Sequence, residues 1–267
     1  MQRNRWALVM TLCAVSHLAG YGQDKSLTIM TYNIHHANPP AFKDSIDVDA
    51  IAQVIIQQRP DLVAVQEVDV RTNRSGKDLD EAAELARKTG MHYYFAKSID
   101  HDGGSYGIVI LSKYAIKNPH THRLPTLEGS GGEPRVLATA TIEIEPGRSI
   151  VFGCTHLDAQ RSDTNRLLQI GAISSILKEE KLPVIIAGDL NAEPSSRVIS
   201  ILDQQLTRTC MEGCGFTIPE DTPTKTIDYI AFSPRAAFKV LEHRVIEQTY
   251  ASDHLPVVAV VAFQKRK

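Results

Sequence analysis

In this chain, residues able to bind a cation or move a proton recur at one kind of position, the end of a short apolar run. Asn33-Ile34-His35-His36 follows Leu27 to Tyr32, and Gln66-Glu67 follows Asp61 to Val65. Thr155-His156-Leu157-Asp158 follows Ile150 to Cys154, and Asp189-Leu190-Asn191 follows Val184 to Ala187. Thr226-Ile227-Asp228-Tyr229 opens the run to Phe232, and Ser252-Asp253-His254 precedes Pro256 to Phe263. Taken singly, each is an ordinary turn, because Asn, Asp and Ser bond their local backbone. Together they form a narrow chemical set. Oxygen donors from Glu67, Asn33 and Asp253, with Asp189 and Asn191 as further candidates, suit a hard divalent cation such as Mg²⁺ or Mn²⁺. Such an ion neutralises a phosphate oxygen and polarises phosphorus toward water. His254 is the candidate base and Asp228 the carboxylate that orients it. His156 is placed to donate to a phosphate. Arg135 could add a bidentate phosphate contact or form a surface salt bridge.

These groups have to be positioned by the apolar runs themselves. Besides those named, Tyr106 to Leu111 and Val136 to Ile144 also read as strands, being short and mostly rich in β-branched residues. Helical spacing occurs between strands. Ile51, Val54 and Ile55 share one face. Leu168, Ala172 and Ile176 make a second with Ile173 and Leu177, and Val198, Ile201 and Leu202 make a third. Leu79 to Lys88 reads as a further helix closed by Gly90. Val136–Ile144 and Ile150–Cys154 meet across Glu145-Pro146-Gly147-Arg148 as a hairpin, so the order is mixed rather than a strict β/α alternation. The expected fold class is α/β: a four-layer sandwich of two mixed β-sheets packed face to face, with helices on the outer faces. Strands side by side bring their ends to one rim, where loops build sites.

The chain has 267 residues, 43% hydrophobic and 22% charged, with no linker, repeat or low-complexity stretch, which points to one domain over residues 26–265. Arg3 and Arg5, the apolar stretch Trp6 to Val15 and small Ala19 and Gly20 form the layout of a signal peptide over residues 1–22. The expectation is an exported protein, periplasmic or secreted. Leu12 before Cys13 argues against lipid attachment. Cys154 reads as a buried thiol, whereas Cys210 and Cys214 could close a small disulfide or remain a surface pair. A net charge of −2 gives no sign of a large basic face.

The ordered series TYNIHH (31–36), QEVD (66–69), YGIVILSKY (106–114), EPR (133–135), THLD (155–158), GDLNAEP (188–194), IDYI (227–230) and SDHLPV (252–257) resembles the endonuclease/exonuclease/phosphatase superfamily. That superfamily includes deoxyribonucleases, apurinic-site endonucleases, sphingomyelinases and inositol-polyphosphate 5-phosphatases. The resemblance spans about residues 26 to 263. It implies hydrolysis of a phosphoester by direct water attack, with a divalent metal and a His–Asp pair. Carried over by position, Glu67 matches the main metal ligand with Asn33 and Asp253 beside it. Asp228 and His254 match the catalytic dyad, Asp189 and Asn191 the pair that orients nucleophile and phosphate, and His156 the phosphate-binding histidine. His35 and His36 could touch substrate or a second ion. Apurinic endonucleases carry a carboxylate where this chain has His35, which weighs against DNA repair.

The segments between motifs, 97–105, 118–132 and 209–226, read as short loops without a dense basic run, and aromatic residues make up only 6% of the chain. No apolar hairpin suggests insertion into a bilayer. The expected substrate is therefore a small or lipid-headgroup phosphodiester or phosphomonoester, taken by a monomer without stable nucleic-acid or membrane binding. The alternatives are an exported DNA or RNA nuclease and a non-catalytic binding module. The intact set of Glu67, Asn33, Asp189, Asn191, Asp228, Asp253 and His254 argues against the last.

Overall fold

The structure, a computed structural model, describes residues 26–42 and 45–264, so the leader expected over residues 1–22 lies outside the described residues. In chain order the elements are β1 (Ser26–Asn33), α1 (Val48–Gln58), β2 (Leu62–Val70), α2 (Glu81–Thr89), β3 (His92–His101), β4 (Gly104–Ser112), β5 (Ile116–Arg123) and β6 (Val136–Glu145). They continue with β7 (Arg148–His156), α3 (Thr164–Glu179), β8 (Val184–Asp189), α4 (Arg197–Asp203), β9 (Thr207–Arg208), β10 (Asp228–Phe232), β11 (Phe238–Val245) and β12 (Val257–Phe263).

The strands form two six-stranded sheets, one in the order β11-β12-β1-β2-β4-β3 and the other β5-β6-β7-β8-β10-β9. Both are mixed: β1 runs parallel to β2 and β7 parallel to β8, while the other pairs are antiparallel. Interior strands are apolar on both faces because each sheet is covered twice. Ile29, Ala64 and Ile110 of the first sheet meet Ala138, Phe152 and Ile185 of the second in the central core. On the outer face of the first sheet, Met30, Val63 and Val109 pack under Ile51 and Ile55 of α1 and Leu85 of α2. On the second, Leu137 and Ile186 pack under Ile173 of α3 and Val198 and Leu202 of α4. This is the expected four-layer sandwich. A wholly buried side chain such as Phe152 contributes roughly 2–3 kcal/mol by leaving water.

Local sequence sets the helix ends. Asp47 accepts from Ala50 N to cap α1, Asp80 accepts from Ala83 N to cap α2, and Gly90 ends α2 at φ +68°. The structure corrects two expectations. In α3 the buried face is Gln169, Ile170 and the expected Ile173, with Ala172, Ile176 and Leu177 packed partly buried beside it, whereas Leu168 is 43% exposed. Segment 97–105 is largely the β3–β4 hairpin, and β5 covers the first part of 118–132. Segment 209–226 is mostly loop and contains a Cys210–Cys214 disulfide, while Cys154 is a buried free thiol.

Candidate active site

Strand register brings the strand-end residues into line. Asn33 pairs with Gln66 across β1–β2, His156 with Asp189 across β7–β8, and Asp228 with Asp189 across β8–β10. Glu67 reaches the same rim through an irregularity. The β2–β4 register shifts between Val65 and Val68, and Glu67 sits in that bulge at φ +59°. Regular alternation would send Gln66 and Glu67 to opposite faces. Gln66 stays between the sheets, accepting from Thr31 Oγ1 at 3.2 Å and donating to Cys154 Sγ at 3.4 Å. The bulge re-aims Glu67.

A continuous polar chain then crosses between the sheets. Asn33 Nδ2 donates to Glu67 Oε1 and to Asp189 Oδ2, both at 3.1 Å. His254 Nδ1 donates to Asp228 Oδ2 at 2.9 Å, and His254 Nε2 lies 3.7 Å from Asp189 Oδ2. Ser252 Oγ donates to Asn33 O at 2.7 Å, pinning the loop that carries Asp253 and His254 against β1. Asn33, Asp189, Asp228 and His254 are buried, whereas Glu67 and Asp253 are partly exposed at the rim.

Burial and neighbouring charge set the protons. Burial opposes charge on the His254 ring, but Asp228, its hydrogen bond, Asp189 and Asp253 raise its pKa to about 10. Burial, with Asp228 nearby, lifts Asp189 to about 7 against the pull of His254 and of hydrogen bonds from Asn191 and Asn33. His156 is driven well below the ordinary histidine range by burial, Arg135 and the His254 charge. It is a neutral ring.

The remaining sequence candidates occupy two flanks. Asn191, at φ +47°, donates through Nδ2 to Leu157 O, and that nitrogen lies 3.1 Å from His156 Nε2. Arg135 is 6% exposed and donates to His156 Nδ1 at 3.2 Å, with Glu133 at 2.9 Å. It is therefore a buried brace for His156 rather than a surface salt bridge. His35 and His36 lie on the β1 side in a tight turn, both at positive φ. The ring of His35 donates to Asn38 O, and among the described residues neither histidine bonds the polar chain. Burial, Arg74 and His35 lower His36 to about 4.

Sequence reasoning missed the support behind Glu67. Asp69, fully buried, accepts from Thr72 Oγ1, Ser75 Oγ and two nitrogens of Arg74. The guanidinium of Arg74 also lies 5.6 Å from the centre of the Tyr106 ring. The signal was within reach: Asp69 closes the QEVD motif, and Arg74 and Ser75 follow it closely.

Two sets of donors could take a cation. One nitrogen of His254 and one oxygen each of Asp189 and Asp228 lie within 4.8 Å of one another. In that trio, however, His254 Nδ1 is already bonded to Asp228. The other set, Glu67, Asn33 and Asp253, offers hard oxygen donors at the rim. Glu67 Oε2 and Asp253 Oδ2 have no hydrogen-bond partner among the described residues. Hard, partly solvated carboxylates fit Mg²⁺ or Mn²⁺, which keep several waters.

With this geometry established, comparison places the chain among known proteins. A family model, the Endonuclease/Exonuclease/phosphatase family, matches residues 30–254. Human Nocturnin is 24% identical over 253 residues, covering 80% of this chain and 57% of that protein, so the chain spans under two thirds of that curated relative. Among solved structures, an endonuclease/exonuclease/phosphatase from Beutenbergia cavernae superposes with TM-score 0.75 at 25% identity, covering 90% of this chain and 72% of that one. A mannosyl-6-phosphatase from Bacteroides thetaiotaomicron superposes with TM-score 0.74 at 19% identity, covering 89% and 100%, and shares the fold. Fold, ordered motifs and family match agree: the chain belongs to the endonuclease/exonuclease/phosphatase family of phosphoester hydrolases.

Proposed function

We propose that this chain is a divalent-metal-dependent phosphoesterase acting by direct attack of water on a small or lipid-headgroup ester. The observation that carries the reading is the buried Asp228–His254 pair facing Asp189, joined through Asn33 to Glu67 at the rim. Glu67, Asn33 and Asp253 would hold Mg²⁺ or Mn²⁺, which supplies charge neutralisation at the phosphate when bound. The chain's own residues do the rest. Asp228 fixes the ring of His254, whose Nε2 faces Asp189 and handles the proton of the attacking water. Neutral His156, braced by Arg135, and Asn191 contact the phosphate from the β7–β8 side. His35 and His36 line the opposite side, where substrate passes. Export, to a periplasmic or extracellular location, is part of the proposal and is supported by the leader pattern and the Cys210–Cys214 disulfide.

The test is an activity panel on the purified protein with Mg²⁺ or Mn²⁺, covering chromogenic phosphate esters, sugar and inositol phosphates, sphingomyelin, plasmid DNA and RNA. Release from small or headgroup esters supports the reading; rapid plasmid cleavage with no action on the others would replace it by the nuclease. The raised pKa values of Asp189 and His254 favour a second assignment within the site, with Asp189 accepting the water proton and His254 donating to the phosphate. In that case Asp189→Asn removes the acidic limb of the kcat/KM profile. With His254 as acceptor the limb persists.

A further inference from the structure

A large cavity lies not over the polar chain but beside it, and it meets the site at Asn191. It measures about 960 Å³ and is bounded by the start of α3, the turn into α4 and the loop that leads to β10. Its wall contains one buried charge. Arg166 is 9% exposed, and its Nη1 donates to the carbonyls of Asp158 and Gln160. Nε and Nη2 have no protein partner among the described residues, and Arg166 pairs with no carboxylate there. A guanidinium taken out of water without a counter-charge is costly, unless a ligand completes it.

An independent feature points the same way. α3 has sixteen residues, its N-cap Asp163 makes no side-chain capping bond, and its first turn holds no acidic residue. The positive end of the helix dipole lies beside Arg166, with no carboxylate bonded to the amides of the first turn. Exposed Arg161 and Lys225 add positive charge at the mouth, while exposed Asp163 and Glu193 oppose it. Solvent screens the charges at the mouth, so each adds less than the buried guanidinium.

Resting on the phosphoesterase reading above, we propose that this cavity is a subsite for a second anionic group of the substrate, a phosphate or carboxylate held by Arg166 and the start of α3. The preferred substrate is then a small phosphoester that carries a further anionic group on the part of the molecule lying beyond Asn191. Polymer length is not required, since the cavity holds a molecule of sugar-phosphate size.

Two measurements test this separately from the catalytic reading. The first is calorimetric titration of inorganic phosphate into the full chain in EDTA, so that a cation-dependent site is silent. The wild type should bind phosphate, and Arg166→Gln should bind it at least about tenfold more weakly, as expected for a lost charge-assisted bond. No measurable binding by the wild type overturns the subsite. The second compares kcat/KM for a hexose monophosphate and the corresponding bisphosphate. The bisphosphate should be favoured about tenfold or more. The double variant Arg161→Ala/Lys225→Ala, at exposed positions whose side chains have no hydrogen-bond partner among the described residues, should reduce that preference several-fold while leaving the monophosphate unchanged. Equal rates on the two esters, or a preference untouched by both variants, contradict the proposal. Phosphate binding without hydrolysis of any ester would instead count against the phosphoesterase reading and leave the anion site standing.

Discussion

Asn33, at the end of β1, donates to Asp189, at the end of β8, across 3.1 Å and from one sheet to the other. The same amide holds Glu67. One buried carboxamide therefore registers the Glu67 side of the site against the Asp189 side. Asn33→Ala leaves the buried Asp189 carboxylate without that donor, at a cost of about 1–3 kcal/mol. Asn33→Asp instead sets a third carboxylate between Glu67 and Asp189. Denaturant titration should show both variants less stable, and activity should fall further in Asn33→Asp than stability alone explains.

Among the described residues the Asp228 side chain bonds only His254, and its second oxygen is buried without a partner. Asp228→Asn keeps the shape and removes the charge that holds the imidazolium. Activity should drop by about 10²–10⁴ in kcat, the usual contribution of acid–base catalysis, with the melting temperature little changed. Unaltered kcat would remove Asp228 from the mechanism.

The bulge at Glu67 carries backbone strain. A non-glycine residue at φ +59° costs about 1 kcal/mol or more, which glycine would relieve. Glu67→Gly should therefore fold at least as stably as Glu67→Ala while both lose activity. A glycine variant less stable than the alanine variant would show that the backbone there is relaxed.

Glu81 is fully buried and accepts from Asp69 N, behind the bulge. Burial and the charge of Asp69 push its carboxyl up to about 8, against an ordinary value of 4.5. Between these values the folded chain retains a proton that the unfolded chain has lost, so stability falls as pH rises from about 4.5 to 8. The slope is at most about 1.4 kcal/mol per pH unit. Urea melts at several pH values should show this decline in the wild type and a flatter profile in Glu81→Gln.

How much of this was legible in the sequence follows from position in the sheets. The eight runs read as strands are β1, β2, β4, β6, β7, β8, β10 and β12, the interior strands of both sheets. The four missed, β3, β5, β9 and β11, are the four edges. Edge strands have an open side and carry polar residues, as in Lys117-Asn118-Pro119-His120 of β5, so no apolar run announces them. The site residues were visible because they terminate interior strands. Glu67 was visible as a residue but its bulge was not, since nothing in Val65-Gln66-Glu67 marks a positive φ. Arg135 was placed only between two alternatives, because its partner His156 sits 21 residues away on the neighbouring strand. Arg166 was not singled out in the sequence, because its buried, unmatched charge appears only when α3 is set against the loop after β7.

The central claim is that a divalent cation and the Asp228–His254 pair together hydrolyse a phosphoester. It is tested most directly by following phosphate or alcohol release from an ester panel while Mg²⁺ or Mn²⁺ is titrated into chelator-stripped protein. The expected result is no turnover without the cation, saturable turnover with it, and a shift of the half-saturating concentration to higher values in Glu67→Gln. Full activity in chelator, or no release from any ester at saturating cation, would contradict it.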